Sequence, residues 1–458
     1  MLSVLRSRTY RHLFGAEVIA LLGTGLTTVP LGLLAYELAG ADAGAVLGTA
    51  LAIKMVAYVG VAPVASAVTQ HLPRRTFLVS MDLVRAAVAL CLPFVDQVWQ
   101  IYLLIFVLQS ASAAFTPTFQ ATIPDVLPEE QEYTKALSLS RLAYDLESLL
   151  SPTLAAILLT IISFHWLFAG TTIGFLASAA LVVSVMVPQP QPAERTSGIY
   201  RRTTRGLRIY LSTPRLRGVL ALNVAVAAAG AMVIVNTVVY VQAVLGRPQT
   251  DVAVALAAFG AGSMIAALVL PPLLERASDR GVMLAGSWIL AGMMLAAGLV
   301  SWVTGVIAWP MLLALWLILG LGYSAVLTPS GRLLRRSAHA SDRPAIYAAQ
   351  FALSHACWLI TYPLAGWLGA ETSMTTTFLG LAGLALAGLA LASYVWPHED
   401  PEALLHIHRD LPPDHAHLAD AEAVKGGFRH SHPFVIDGEH PRWPGRHGSG
   451  ARYSEAHR

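Results

Sequence analysis

The chain alternates between long runs with almost no charge and short polar breaks. A helix needs about 20 mostly apolar residues to cross roughly 30 Å of hydrocarbon. Twelve runs reach that length, near 13–38, 44–68, 77–95, 99–121, 136–162, 165–187, 217–244, 252–274, 282–302, 306–328, 344–369 and 374–396. Breaks such as Ala39-Gly40-Ala41-Asp42 and Leu72-Pro73-Arg74-Arg75 separate them. The runs are apolar all round, without the alternation of barrel strands, so they predict membrane helices. The pattern divides the chain into a six-helix bundle (1–187), a basic linker (188–216), a second six-helix bundle (217–396) and a polar tail (397–458). The first run is too long for a signal-peptide core and reads as a retained span.

Composition agrees. Hydrophobic residues make up 55% of the 458 and charged residues 12%, against roughly 25% charged in soluble domains. So few charges cannot coat a soluble surface of this size. A net charge of +3 argues against nucleic-acid binding. Cys91 and Cys357 both sit in apolar runs, with no CxxC and no disulfide framework.

The placement of the charges sets the orientation. One set of loops holds Arg6, Arg8 and Arg11, then Arg74 and Arg75, Lys135, seven arginines from Arg195 to Arg217, Arg276 and Arg280, and finally Arg332, Arg335, Arg336 and Arg343. The opposite loops hold Arg247. The expectation is a multi-pass protein of the cytoplasmic (inner) membrane with both termini cytoplasmic.

The two halves echo each other. Thr116-Pro117 ends the fourth run and Thr328-Pro329 the tenth, while Ser151-Pro152 and Tyr362-Pro363 fall inside the fifth and eleventh. Two six-helix repeats joined by a basic loop is a transporter layout. The loop Ser66-Ala67-Val68-Thr69-Gln70-His71-Leu72-Pro73-Arg74-Arg75 resembles a degraded G-x-x-x-D-R-x-G-R-R signature of the major facilitator superfamily. Its closing Arg pair survives, but Gln70 stands where the family has an acid, which puts that latch in doubt. Asp82 and Arg85 follow, as in the drug:proton antiporter branch. Tyr10-Arg11-His12-Leu13-Phe14, Leu21-Leu22-Gly23-Thr24-Gly25-Leu26 and a His-bearing tail are similar to the nickel-resistance exporters of that superfamily. The resemblance implies an all-α membrane fold of twelve helices in two pseudo-repeats, no enzymatic activity, and function as a monomer.

Ionisable groups inside a membrane are costly and mark function by default. Glu17 reads as an interfacial carboxylate near the first arginines, and Asp82 with Arg85 as an intrahelical pair. Lys54 lies near the middle of the second run, too deep to snorkel easily. Arg141, Asp145 and Glu147 crowd the fifth. Arg141 and Asp145 are spaced to pair on one helix face, and Glu147 points elsewhere. These four (Asp145, Glu147, Lys54 and Arg141) are the candidates for proton coupling or gating. His355, Cys357, Asn223 and Asn236 are the candidates for cargo contact. By analogy with the family, Lys54 and His355 approach each other across the halves.

The tail holds His406/His408, His415/His417 and His430/His432 as His-x-His pairs, with Asp410, Asp414 and Asp420 among them. Imidazole suits zinc, copper and nickel. The spacing is not that of a zinc finger, so the tail reads as a largely disordered metal buffer or, alternatively, a pH sensor or a passive polar segment. Phe434-Val435-Ile436 and Trp443 are its candidate docking residues.

No Walker A, G-x-S-x-G or H-E-x-x-H motif is present. The expected function is a secondary transporter without a cofactor, working by alternating access and exporting cargo against protons. A divalent nickel or cobalt ion is the first cargo reading. A drug, siderophore or other amphipathic molecule is the second, and a non-transporting membrane receptor is the third.

Overall fold

A computed structural model of the chain describes residues 2–39, 43–69, 72–189, 199–401, 403–408, 411–412, 414–440 and 442–444. Gln70, His71 and Asp410 lie outside the described residues, as does most of the linker ahead of 199. Each of the twelve runs is carried by a long helix. The first half contains α1 (Arg8–Ala39), α2 (Ala43–Thr69), α3 (Arg74–Cys91), α4 (Val98–Val126), α5 (Glu130–Leu159) and α6 (Phe164–Val183). A shorter helix, α7 (Ile199–Ser212), follows. The second half contains α8 (Pro214–Val239), α9 (Gln249–Leu274), α10 (Asp279–Thr304), α11 (Trp309–Arg336), α12 (Arg343–Glu371) and α13 (Met374–Val395). Among the described residues nine of these helices hold stretches long and apolar enough to span a bilayer; the other three are α1, α5 and α12. Glu17, the Arg141–Glu147 cluster and His355 sit on those three.

Thr116-Pro117 and Thr328-Pro329, which close the fourth and tenth apolar runs, lie inside their helices. α4 runs on to Val126 and α11 to Arg336. Hydropathy marks where lipid ends, whereas a helix continues into water as long as its backbone bonds are made.

The halves share one packing scheme. In the first, α1 packs on α6 and α5, α2 on α4, and α3 on α4 and α6. In the second, α8 packs on α13 and α12, α9 on α11, and α10 on α11 and α13. These are the same pairings displaced by one repeat. Lipid supplies no hydrophobic drive between helices, so small residues and close backbones hold them. Gly262 of α9 and Gly320 of α11 leave no room for a Cβ, since each faces the other helix's carbonyls (Leu317 and Phe259). The halves meet through α2 on α12, α5 on α9, α4 on α12 and α5 on α11, again a two-fold set.

The linker helix α7 packs on α12: Tyr210 is fully buried and donates to Gln350, and Arg205 pairs with Asp342 at 2.5 Å.

The tail departs from the expected disorder. Strands β1 (Ala403–His408), β2 (Glu422–Val424) and β3 (Gly427–Pro433) form an antiparallel sheet in the order β1-β3-β2. Gly426, at φ +95°, supplies the tight β2–β3 turn. Leu404, Phe434, Ile436 and Trp443 join the core of the second half. Asp400 pairs with Arg215 at 3.3 Å and accepts from Trp396 Nε1 at 3.1 Å. A polar segment can order itself when a few apolar anchors reach a core that already exists.

Candidate functional site

Between the halves lies a cavity of about 540 Å³. Its wall draws on α1, α2, α3, α4 and α5 of the first half and α8, α11 and α12 of the second. Aromatic rings dominate it: Tyr58, Phe115, Tyr144, Tyr323, Phe351 and Trp358. Neutral polar side chains such as Gln120, Asn223, Ser330 and Gln350 stand among them, with five charged ones among the described residues: Glu17, Lys54, Arg85, Arg141 and Glu147.

α5 supplies two. Arg141 pairs with Asp145 one turn on, donates from Nε to Ser263 Oγ of α9 at 3.1 Å, and lies 4.8 Å from the Tyr323 ring centroid of α11. The pair therefore sits on the seam between the halves. Glu147 faces the cavity instead. Gly25 of α1 makes room for it, because a Cβ there would meet the Glu147 carboxylate and Ser151. The two acids point apart, as their spacing on α5 predicts.

Glu17, which reads from sequence as an interfacial carboxylate, is enclosed by the protein. It is 7% exposed, lines the cavity and accepts from Ser140 Oγ at 2.8 Å. α1 begins at Arg8, so Glu17 lies well inside the helix, on the face that meets Ser140 of α5. Among the described residues no ion pair includes Glu17 or Glu147, whereas Asp82, Asp125 and Asp145 are all paired.

Lys54 and His355 both reach the cavity, with Tyr58 between them. Lys54 Nζ lies 5.5 Å from the Tyr58 ring centroid, and the His355 ring meets Tyr58 edge-on at 4.7 Å. His355 Nδ1 lies 2.7 Å from the Phe351 carbonyl and its ring packs on Phe351. Asn223 lines the cavity, with Nδ2 donating to Val219 O at 2.9 Å. Two cargo candidates fall outside the wall. Asn236 braces α8 against α12 through the Ala365 carbonyl at 3.2 Å, and Cys357 Sγ is turned to its own helix at Leu353 O. Arg85 was passed over as structural, yet it reaches the cavity. It is held by Asp82 and by the Phe115 and Phe175 rings at 4.1 and 4.6 Å.

The arginine-rich end of the bundle is closed below this cavity. Tyr133 of α5 and Tyr347 of α12 share a hydrogen bond across the halves, and both are at most 2% exposed. Asp125, at the end of α4, is gripped by Arg74 at 2.6 Å and by Arg343 from the other half. Arg332 joins Glu130 of the first half to Asp279 of the second, the latter at 3.1 Å. Arg74 belongs to the degraded signature loop, whose acid position holds Gln70. Asp125 supplies the carboxylate that this loop lacks.

The tail histidines gather at one point. In a strand, side chains two apart share a face, so His406/His408 on β1 and His430/His432 on β3 point the same way, with His406 paired opposite His430. His417 and His440 complete the group, and one ring nitrogen from each of the six lies within 4.8 Å of the others. His415 is not a member; it lies 3.9 Å from Glu439. His440, in its place, has no His-x-His partner, so spacing gave no sign of it. Burial, with repulsion among the rings, pushes His406 and His430 down to about 4 and lowers His408 and His417. All four are therefore neutral near pH 7.

The sequence profile of the Major Facilitator Superfamily matches residues 13–291 and 220–435. The chain belongs to the Major Facilitator Superfamily. Members of that superfamily are multi-pass membrane transporters and not enzymes. Among solved structures, the human organic anion transporter MFSD10 superposes with a TM-score of 0.72 at 11% identity, covering 84% of this chain and 99% of that one. A bacterial homologue of the iron transporter ferroportin, in an outward-facing state, superposes with 0.69 at 14%, covering 84% and 98%. The proton:xylose symporter XylE gives 0.65 at 13%, covering 86% and 95%. These establish the fold alone. Macrolide efflux protein A of Streptococcus pyogenes is 25% identical over 153 residues, 31% of this chain and 38% of the relative. That of Enterococcus faecalis is 24% identical over 153 residues, 31% and 47%. The matched stretch covers less than half the length of either relative.

Proposed function

We propose that this superfamily member is a proton-driven exporter of amphipathic organic molecules, captured with its cytoplasmic side closed. The observation that carries this reading is the cavity. Its volume of about 540 Å³ suits a drug-sized ligand, whose sites run to roughly 300–1,000 Å³ and combine apolar walls with a few placed polar groups. A bare metal ion needs neither the volume nor the rings. Among the described residues, clustered metal-ligating side chains occur in the tail and not in the cavity wall. The likeness to macrolide efflux proteins supports the same cargo class. Metal export, the first reading from sequence, is the second here.

The arginine clusters support an orientation with the closed end and both termini in the cytoplasm, in an inner membrane. Glu17 and Glu147 are the groups we assign to proton coupling. Each borders the cavity without an ion-pair partner among the described residues, so each can take up a proton without breaking a salt bridge. Asp145, held by Arg141, serves the seam between the halves.

Efflux from cells separately loaded with ethidium, a macrolide and nickel, against an empty vector, tests the reading. Faster loss of an organic probe, abolished by a protonophore, is the expected result. Nickel loss without organic loss would overturn it.

A further inference from the structure

Six imidazoles do not converge for packing alone, because nitrogens that face one another at close range repel. His406 Nε2 lies 3.0 Å from His408 Nε2 and 3.1 Å from the Nε2 atoms of both His430 and His440. A single ring proton cannot satisfy three such neighbours. Four of the rings also turn their other nitrogen to an acceptor. His406 Nδ1 meets the Leu404 carbonyl at 2.9 Å and His432 Nδ1 the Pro433 carbonyl at 2.9 Å. His440 Nδ1 meets Asp437 at 2.9 Å and His417 Nδ1 meets Glu439 at 2.8 Å. In a neutral ring those acceptors hold the proton on Nδ1 and leave Nε2 bare. The Nε2 atoms of His417 and His432 are buried without a hydrogen-bond partner among the described residues. Carbonyls and carboxylates behind the rings are the outer shell that metal-ligating histidines use.

The spacing indicates the coordination number. With metal–nitrogen bonds of about 2.1 Å, neighbouring ligands of an octahedron lie about 3.0 Å apart, while those of a tetrahedron lie about 3.4 Å apart. The three separations around His406 are those of neighbouring octahedral ligands, while the group as a whole spreads to 4.8 Å, against about 4.2 Å between opposite ligands, so a bound ion would draw it in. Structural zinc is almost always four-coordinate. Copper(II) prefers a tetragonal field, and among the remaining divalent first-row ions nickel binds nitrogen donors most tightly.

We propose that His406, His408, His417, His430, His432 and His440 form a six-coordinate, all-imidazole site for a resident divalent transition ion, nickel in type. The ion is not cargo. Its ligands come from β1, β3, the turn Ala416–Leu418 and the segment after β3, so one ion ties the tail into a single body. That body reaches the gate. His440 is held by Asp437, and Asp437 also bonds His339 Nε2 at 3.1 Å. His339 lies in the loop that leads into Arg343, the residue that clamps Asp125.

The test uses the full chain, purified without an affinity histidine tag and stripped with a chelator. Nickel binding is read by equilibrium dialysis, and geometry by the visible spectrum of the cobalt(II) form. One nickel per chain is expected, with the weak pink absorption of six-coordinate cobalt and protection of residues 403–440 from protease on loading. His406→Ala and His440→Ala should each weaken binding by at least about 100-fold, and Asp437→Asn, which keeps every ligand, by about 10–100-fold. His415→Ala should bind as the parent does. Absence of a bound ion, parent-like affinity in His440→Ala with the tail still folded, parent-like affinity in Asp437→Asn, or the intense blue of four-coordinate cobalt would each overturn the proposal. Binding is measured without flux, so failure of the exporter reading would leave this result standing.

Discussion

The cavity and the tail use histidine in opposite ways. In the cavity a single histidine, His355, lies against Tyr58 and Phe351 with one nitrogen on a backbone carbonyl. In the tail six rings face one another, and four of them are backed by acceptors. Imidazole chemistry is decided by company. A lone ring among aromatics contributes shape and a weak polar contact, whereas converging bare nitrogens call for a cation. The comparison accords with the two proposals, organic recognition in the membrane and metal recognition outside it.

The largest effect should come from the cavity's buried charge. Asp82 is fully buried and holds Arg85, which is 4% exposed. Asp82→Ala strands that guanidinium, and losing one member of a buried pair costs about 3–5 kcal/mol. Thermal unfolding in detergent should show a large fall in stability while the tail keeps its nickel. If nickel were lost while the bundle was still folded, the tail site would depend on this pair as well as on the contacts that anchor it to the second half.

Next comes the gate that lies between them. Asp125→Asn removes the carboxylate shared by Arg74 and Arg343. Coupling terms of this kind are about 1–3 kcal/mol, or about 5–150-fold in a conformational equilibrium. A cysteine placed at Ser330, in the cavity wall, should become more reactive to a thiol reagent added from the cytoplasmic side. Unchanged reactivity would show that the closed state does not depend on this clamp.

Glu147→Gln should slow proton-driven organic efflux in proteoliposomes by about tenfold or more and flatten its pH dependence, as expected of an intramembrane proton carrier. Parent-like rates and pH dependence in this variant and in Glu17→Gln would remove both acids from coupling.

The smallest effect sharpens the comparison most. His355→Gln should leave nickel binding unchanged while altering the apparent affinity for organic cargo. A change in nickel affinity would mean that the two sites are one system.

Much of the fold was legible in the sequence because lipid imposes a simple rule: about 20 apolar residues for each crossing. The twelve runs, the repeat and the opposed faces of Asp145 and Glu147 all follow from helix length and helical angle. That Glu17 faces the cavity was not legible, because the face of α1 that meets Ser140 is set by packing and not by hydropathy. The sheet was hidden for a related reason. The His-x-His pairs do carry the period of a strand, but low apolar content argued for disorder and outweighed it. His440 had no local signal at all.

The sequence by itself thus determined that the chain is a two-repeat membrane protein, which side carries the arginines, and which residue types are available for chemistry. These depend on composition and on spacings within single elements. The tertiary structure alone decided that Asp125 completes the clamp, that Glu17 and Arg85 face the cavity, and that six histidines spread from 406 to 440 meet at one point. Each of these is a contact between segments distant in the chain, and such contacts are set by how helices and strands pack, which no local pattern of residues encodes.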